Sequence, residues 1–170
     1  MNKLPVSFFQ RDVLDVAPEL LGKYLVQNDG TNGFKYKITE VEAYRGEEDL
    51  ACHANKGRTK RTEIMYHSGG YLYVYLIYGM YWMLNIVTGQ ENIPQAVLIR
   101  GIEGFNGPGK LTKHLNIDKS FQGESIVKSN RIWIENSTQF AEYTTTPRIG
   151  IDYAGEIWKN KPWRFLLKHL

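Results

Sequence analysis

The sequence predicts an α+β fold, a single compact mixed domain (residues 1–170) around a curved, largely antiparallel β-sheet with a few short helices. Three observations lead there. Runs of strand-forming Val, Ile, Tyr, Phe and Trp recur along the chain, helical spacing is confined to two short stretches, and no repeat, linker or low-complexity tract divides the sequence. With 170 residues, 42% hydrophobic and 23% charged, the chain can bury one sizeable core and is neither disordered nor fibrous in composition.

In chain order, residues 12–22 read as a short helix with Pro18 in its first turn and Gly22 as its stop. Residues 23–27 and 34–42 read as strands flanking Asn28-Asp29-Gly30-Thr31-Asn32-Gly33, the composition of a hairpin loop. Residues 45–70 are irregular, charged and Gly-containing; so long a connection in a compact domain is a candidate functional loop. Residues 71–77 and 80–87 form a hairpin with Tyr78 at its tip, and residues 95–100 add a further strand. A short helix over 108–115 puts Leu111 and Leu115 on one face, and strands at 131–135 and 163–167 close the sheet.

Composition narrows the function. The first residues hold no apolar run long enough for a signal peptide, and no stretch offers roughly 18 apolar residues for a membrane span, so a soluble, cytoplasmic protein is expected. The single cysteine, Cys52, excludes an internal disulfide and a cysteine-based zinc site and suits a reducing compartment. His53, His67, His114 and His169 lack metal-ligand spacing, so no metal is implied. The net charge of +3 is mild, but Lys56, Arg58, Lys60 and Arg61 crowd into six positions of the irregular stretch. They either grip phosphates or form a solvated surface turn.

Several residues sit where their chemistry is unexpected. Period-two alternation carries Glu40 and Glu42 onto the apolar face of Phe34, Tyr36 and Ile38, so either the strand end emerges into solvent or Glu42 lines a cavity. Tyr44 and His53 could share that cavity, although a lone His is commonly structural. A Cys52-His53 nucleophile pair is discarded, because chain neighbours rarely point at each other and no third group orients them. Six tyrosines fall between Tyr66 and Tyr81; most suit a β core, but a tyrosine at a hairpin tip such as Tyr78 implies a contact. Asn85, amid Met83, Leu84, Ile86 and Val87, either bonds to backbone or faces a cavity. Residues 104–110 match the phosphate-binding pattern G-x-x-x-x-G-K, but Leu111 stands where a Ser or Thr hydroxyl is required. A helix start carrying Lys110 could still hold a DNA phosphate.

Taken together, Glu40-Val41-Glu42-Ala43-Tyr44, His53-Ala54, residues 62–66, 71–85, 96–100 and 106–108, Arg148-Ile149-Gly150-Ile151, residues 153–156 and residues 161–165 closely resemble the alkyladenine (3-methyladenine) DNA glycosylase family. The resemblance spans nearly the whole chain. It departs in lacking the long N-terminal extension of animal members and in the length of the basic loop after His53. It implies a monofunctional, monomeric enzyme of base excision repair that needs no metal or cofactor and acts on duplex DNA carrying 3-methyladenine, 7-methylguanine, hypoxanthine or etheno-adenine. By the family pattern Glu42 is the catalytic base, Tyr44, His53 and Tyr75 enclose the flipped base, and Tyr78 fills the gap in the duplex. Asn85 guards against normal guanine and Arg100 supports the site. The alternative is a noncatalytic nucleic-acid-binding module using the basic loop and the tyrosines for grip and stacking.

Overall fold

The computed structural model describes residues 2–168; Met1, His169 and Leu170 lie outside them. Two helices open the chain, α1 (Val6–Phe9), too short to show a period in the sequence, and α2 (Val13–Leu20). The Asp12 carboxylate accepts from the Leu14 amide at 2.9 Å and caps α2, whose Val13, Val16, Ala17 and Leu20 recur at helical spacing and are buried. Pro18 is not in the first turn as the sequence suggests. It is the sixth of eight residues, where its missing N–H falls in the last turn and the helix ends soon after at extended Leu21.

β1 (Tyr24–Asn28) and β2 (Gly33–Arg45) form the expected hairpin, with Leu25 opposite Tyr36. β3 (Leu72–Ile77) and β4 (Tyr81–Thr88) form the second, and β5 (Gln95–Ile102) lies between β4 and β2. β6 (Phe105–Asn106) folds back on β5 and leads into α3 (Pro108–His114), which buries Leu111 and is followed by buried Leu115. β7 (Ile132–Glu135), β8 (Tyr143–Thr146), α4 (Gly155–Lys159) and β9 (Arg164–Leu167) complete the described chain. The strands make one sheet in the order β3-β4-β5-β2-β1-β7, with β6 on β5, β9 on β2 and β8 on β9, and these pairings are antiparallel. The fold class is the one the sequence predicts. β8 escaped the sequence reading because Tyr-Thr-Thr-Thr is a mostly exposed strand with no apolar alternation. Among the described residues no helix is long and apolar enough to cross a membrane.

The central strands are covered on both faces, and alternate residues enter different cores. Val41, Ala43, Leu72, Val74, Leu84, Ile86, Val97 and Ile99 meet Val13, Val16 and Leu20 of α2 and Leu111 of α3 in the main core. Tyr73, Val87 and Ala96 face the other way, into a smaller core closed by Cys52, Ala54, Met65 and Tyr66. Those last residues belong to the long irregular segment, which makes two 3₁₀ turns, His53–Lys56 and Glu63–Tyr66. A sheet buried on both sides has no polar face, which explains the nearly continuous apolar run at 71–77.

One sequence expectation is corrected at β2. The β2–β5 pairing is irregular between Ile38 and Val41: Glu40 lies opposite Gly101, while Thr39 and Arg100 have no partners in the register. Two facing bulges therefore reverse the alternation. Ile38, Val41 and Ala43 all enter the main core, and Glu42 and Tyr44 take the opposite face from Ile38. Gly101 is required at this crossing, since a Cβ there would come within 2.9 Å of Thr39 Oγ1 and 3.1 Å of the Glu40 Cβ.

Candidate active site

Register aligns Glu42 of β2, Leu98 of β5, Asn85 of β4 and Tyr73 of β3 in one row across the sheet. Residues opposite one another share a face, so this row and the adjoining Tyr44, Ala96 and Val87 look toward the irregular segment. Between sheet and segment lies a cavity of about 50 Å³ lined by Tyr44, Ala51, Cys52, His53, Met65, Tyr73, Tyr75, Asn85, Ala96 and Tyr153. Tyr44, His53, Tyr75 and Asn85, singled out from the sequence, thus converge. A more open groove beside Phe34, Tyr36, His114 and Arg131 contains none of them.

The walls are aromatic and mutually braced. The His53 and Tyr75 ring centroids are 4.6 Å apart, and those of Tyr73 and Tyr75 are 5.2 Å apart. His53 Nδ1 lies 2.9 Å from the Tyr73 hydroxyl. Burial, helped by the charges of Arg61 and Lys56, pushes the His53 pKa down to about 4, so its ring is neutral at physiological pH. Asn85 Nδ2 donates to the Tyr73 carbonyl at 3.1 Å while the side chain lines the cavity, so both of its sequence readings hold. Burial pushes the Cys52 thiol up to about 12, which suits a wall residue rather than a nucleophile.

Glu42 neither reaches solvent nor lines the cavity: it is 0% exposed and sits one hydrogen bond behind the Tyr44 wall. The Tyr44 hydroxyl donates to Oε2 at 2.8 Å and the Ile149 amide donates to Oε1 at 2.7 Å. Arg100 Nε is 3.6 Å from Oε1 and closer, at 3.0 Å, to Glu40, which Arg164 also engages at 2.6 Å. Burial raises the Glu42 pKa, against the pull of Arg100, the Ile149 amide, the Tyr44 hydroxyl and Arg148. Deep burial and then the same carboxylate hold the Tyr44 hydroxyl well above its ordinary value. The outcome is a carboxylate that is hard to keep charged, held by directed donors.

Tyr78 stands at the β3–β4 tip, 87% exposed and at φ +51°, with Gly79 beside it at φ +64°. It is three residues beyond Tyr75, about 10 Å along the strand. Leu76, Met80 and Tyr81 are exposed around it, so the tip is an apolar prow. Lys56, Arg58, Lys60 and Arg61 are exposed near the first 3₁₀ turn. They are not equivalent: Arg58 pairs with Glu63 at 3.3 Å, donates to Asn92 at 3.0 Å and covers the Tyr66 ring at 4.6 Å. Arg61 lies 5.5 Å from the Tyr75 ring centroid. Lys110 is exposed on α3, whose Gly109 abuts Tyr81: a Cβ there would come within 2.8 Å of the ring.

Three residues of the site had no role in the sequence reading. Tyr153 lines the cavity although 71% exposed, and its hydroxyl donates to the Ala51 carbonyl at 3.2 Å. Arg148 and Asp49 form a buried ion pair next to Tyr44. Exposure of an aromatic could have flagged Tyr153 once a fold was known; nothing local marks a pair 99 residues apart. Among the described residues no three His, Cys, Asp or Glu side chains converge to hold a metal ion.

The sequence matches the methylpurine-DNA glycosylase family over residues 7–106 and 103–170. It is 47% identical to a protein of Legionella pneumophila (strain Corby) over 99% of this chain and 96% of that one, and 48% identical to one of Sodalis glossinidius over 94% and 93%. A Natranaerobius thermophilus protein is 41% identical over 98% and 96%. All three carry the name "Putative 3-methyladenine DNA glycosylase". In this chain an aromatic cavity is backed by a buried carboxylate. The chain belongs to the methylpurine-DNA glycosylase family, and it is a DNA glycosylase.

Proposed function

We propose that the protein is a monofunctional, monomeric and cytoplasmic enzyme of base excision repair that removes alkylated or deaminated purines from duplex DNA. The classes meant are 3-methyladenine, 7-methylguanine, hypoxanthine and etheno-adenine. The observation that carries this reading is the Glu42 carboxylate held directly behind the wall of an aromatic cavity.

The chemistry follows from that placement. The anomeric carbon is shielded in stacked DNA, so the nucleotide must leave the helix, and Tyr78 fills the gap, a role supported by its exposure at the hairpin tip. The extruded base stacks among Tyr44, Tyr75 and His53. Space of about 50 Å³ holds only a few waters, so a purine enters by displacing part of the wall. Tyr153, mostly exposed and held to Ala51 by its hydroxyl, is the wall residue freest to move. As the glycosidic bond breaks, the sugar becomes cationic; once the entering base shifts the Tyr44 hydroxyl off Oε2, Glu42 stabilises that charge and accepts a proton from the attacking water. Arg100 keeps the Glu40 and Glu42 carboxylates in place. Asn85 meets the edge of the base, where its amide opposes the 2-amino group of guanine. Lys56, Lys60, Arg61 and Lys110, with a smaller share from Arg58, contact phosphates.

The test is incubation, without added metal or nucleotide, with duplexes each carrying one hypoxanthine, etheno-adenine, 3-methyladenine or 7-methylguanine, followed by alkaline cleavage of abasic sites. Strand cleavage at the lesion is expected. Binding to lesion duplex with no base released from any of them would leave a noncatalytic module.

A further inference from the structure

The Arg148 guanidinium is buried against the stretch of β2 that carries Glu42 and Tyr44. Its Nη1 donates to Asp49 Oδ2 at 2.6 Å and its Nη2 to Asp49 Oδ1 at 2.9 Å, a bidentate pair with both side chains 0% exposed. Nη1 also donates to the carbonyl of Ala43 at 3.0 Å, the residue between Glu42 and Tyr44. The guanidinium lies 4.9 Å from the Tyr44 ring centroid and 5.0 Å from that of Trp163. The next residue, Ile149, donates its amide to Glu42. Asp49 is itself held by the Arg45 and Ala51 amides, each at 3.0 Å.

We infer that Arg148, locked by Asp49, is a positioning residue for base excision: it pins the 148–149 segment against β2 so that the Ile149 amide and the Tyr44 hydroxyl hold the Glu42 carboxylate in place. This rests on the role proposed above for Glu42. Two physical points favour it over a purely structural pair. Buried ion pairs are weak sources of stability, and apolar residues of similar volume commonly serve a fold as well. Here, moreover, the contacts beyond Asp49 include the backbone between Glu42 and Tyr44 and the Tyr44 ring, alongside the Trp158 carbonyl at 3.3 Å and the Trp163 ring. The groups facing or neighbouring Glu42 are Arg100 from β5, Tyr44 from β2, Tyr75 from β3, Tyr153 from the 3₁₀ turn Asp152–Ala154, Arg148 itself, and the Glu40–Arg164 pair of β2 and β9. Of these, Arg148 and Arg100 are the cations that oppose the burial of the carboxylate.

The test compares the full-length wild type with Arg148→Lys and Arg148→Met. Single-turnover excision of hypoxanthine is followed across pH, together with lesion-duplex Kd and melting temperature. Arg148→Met should move the acid limb of the rate profile upward by about one pH unit and lower the plateau about tenfold or more, with Kd within about threefold. Arg148→Lys keeps a positive charge but lacks the planar fork that bonds both Asp49 oxygens and the Ala43 carbonyl, so it should recover most of the limb and little of the plateau. Should Arg148→Met not fold, Arg148→Lys and an ester at position 149, which removes only the N–H, carry the test. A folded Arg148→Lys and ester protein with wild-type plateau and limb would overturn the inference. Wild-type protein that releases no base would instead overturn the glycosylase reading.

Discussion

The Tyr44 hydroxyl donates to Glu42 Oε2 across 2.8 Å, two residues along the same strand and on the same face of β2. This bond joins the cavity wall to the carboxylate behind it, so what touches Tyr44 can be felt by Glu42.

Glu42→Gln preserves shape and removes charge. Single-turnover excision should fall by about 10² to 10⁴ fold or more, while lesion duplex binds as tightly as to wild type or slightly tighter. Because burial raises the folded-state pKa of Glu42, its ionisation opposes folding, and that stability is lost as pH rises through the raised value. The variant should therefore gain in melting temperature over wild type at pH 7 more than at pH 4. Excision within a few fold of wild type would remove Glu42 from the chemistry.

His53 carries the opposite sign. Its folded pKa is about 4 against an unfolded value near 6.5, so the unfolded chain binds the proton more readily. Its contribution is intact above about pH 6.5 and is lost as pH falls toward 4. Thermal melts of His53→Gln should show a flatter pH dependence than wild type across that window; parallel curves would place the acid sensitivity elsewhere.

Tyr78→Ser tests the tip. The side chain packs into no core, so melting temperature should hold while excision of a paired lesion drops, with less loss when the lesion is mispaired. Equal losses on both duplexes would speak against a wedge.

Asn85→Ser replaces the amide that faces the cavity with a smaller hydroxyl. Release of undamaged guanine, from pairs or mismatches, should become measurable in a folded variant, and a base-release assay on lesion-free duplex reads it directly. No rise would leave Asn85 with its backbone bond to Tyr73 as its whole role.

Among the basic residues, Ala variants of Lys56, Lys60 and Arg61 should each weaken binding to all duplexes alike and reduce the slope of log Kd against log salt by roughly one. Arg58 is already paired with Glu63 and Asn92, so its variant should change the slope least. Titrations at several salt concentrations that give wild-type slopes throughout would return the loop to a solvated surface.

Much of this architecture is legible locally. The β3–β4 hairpin and its tip, the apolar runs of β4 and β5, and the Leu111–Leu115 face of α3 follow from strand formers, turn residues and helical spacing, because side-chain periodicity reports burial directly. Asn85 could be named because a polar group amid a core calls for partners, and Tyr44 and His53 because they follow Glu42 closely in the chain, whereas Tyr75 was named through the family resemblance.

The surroundings of Glu42 could not be read this way. Its face depends on whether Thr39 and Arg100 bulge, and an unpaired residue shifts the alternation by one without changing composition. Its donors are non-local: Ile149 lies 107 positions away and Arg100 on another strand, and the Arg148–Asp49 pair spans 99 positions. The sequence by itself therefore determined which residues had unusual chemistry and which strands carried them, since those depend on periods of two and 3.6 residues. Only the tertiary structure decided that Glu42 is sealed behind Tyr44 and clamped from the 148–149 segment, because hydrogen bonds and ion pairs are set by distance in space, which one-dimensional spacing does not encode.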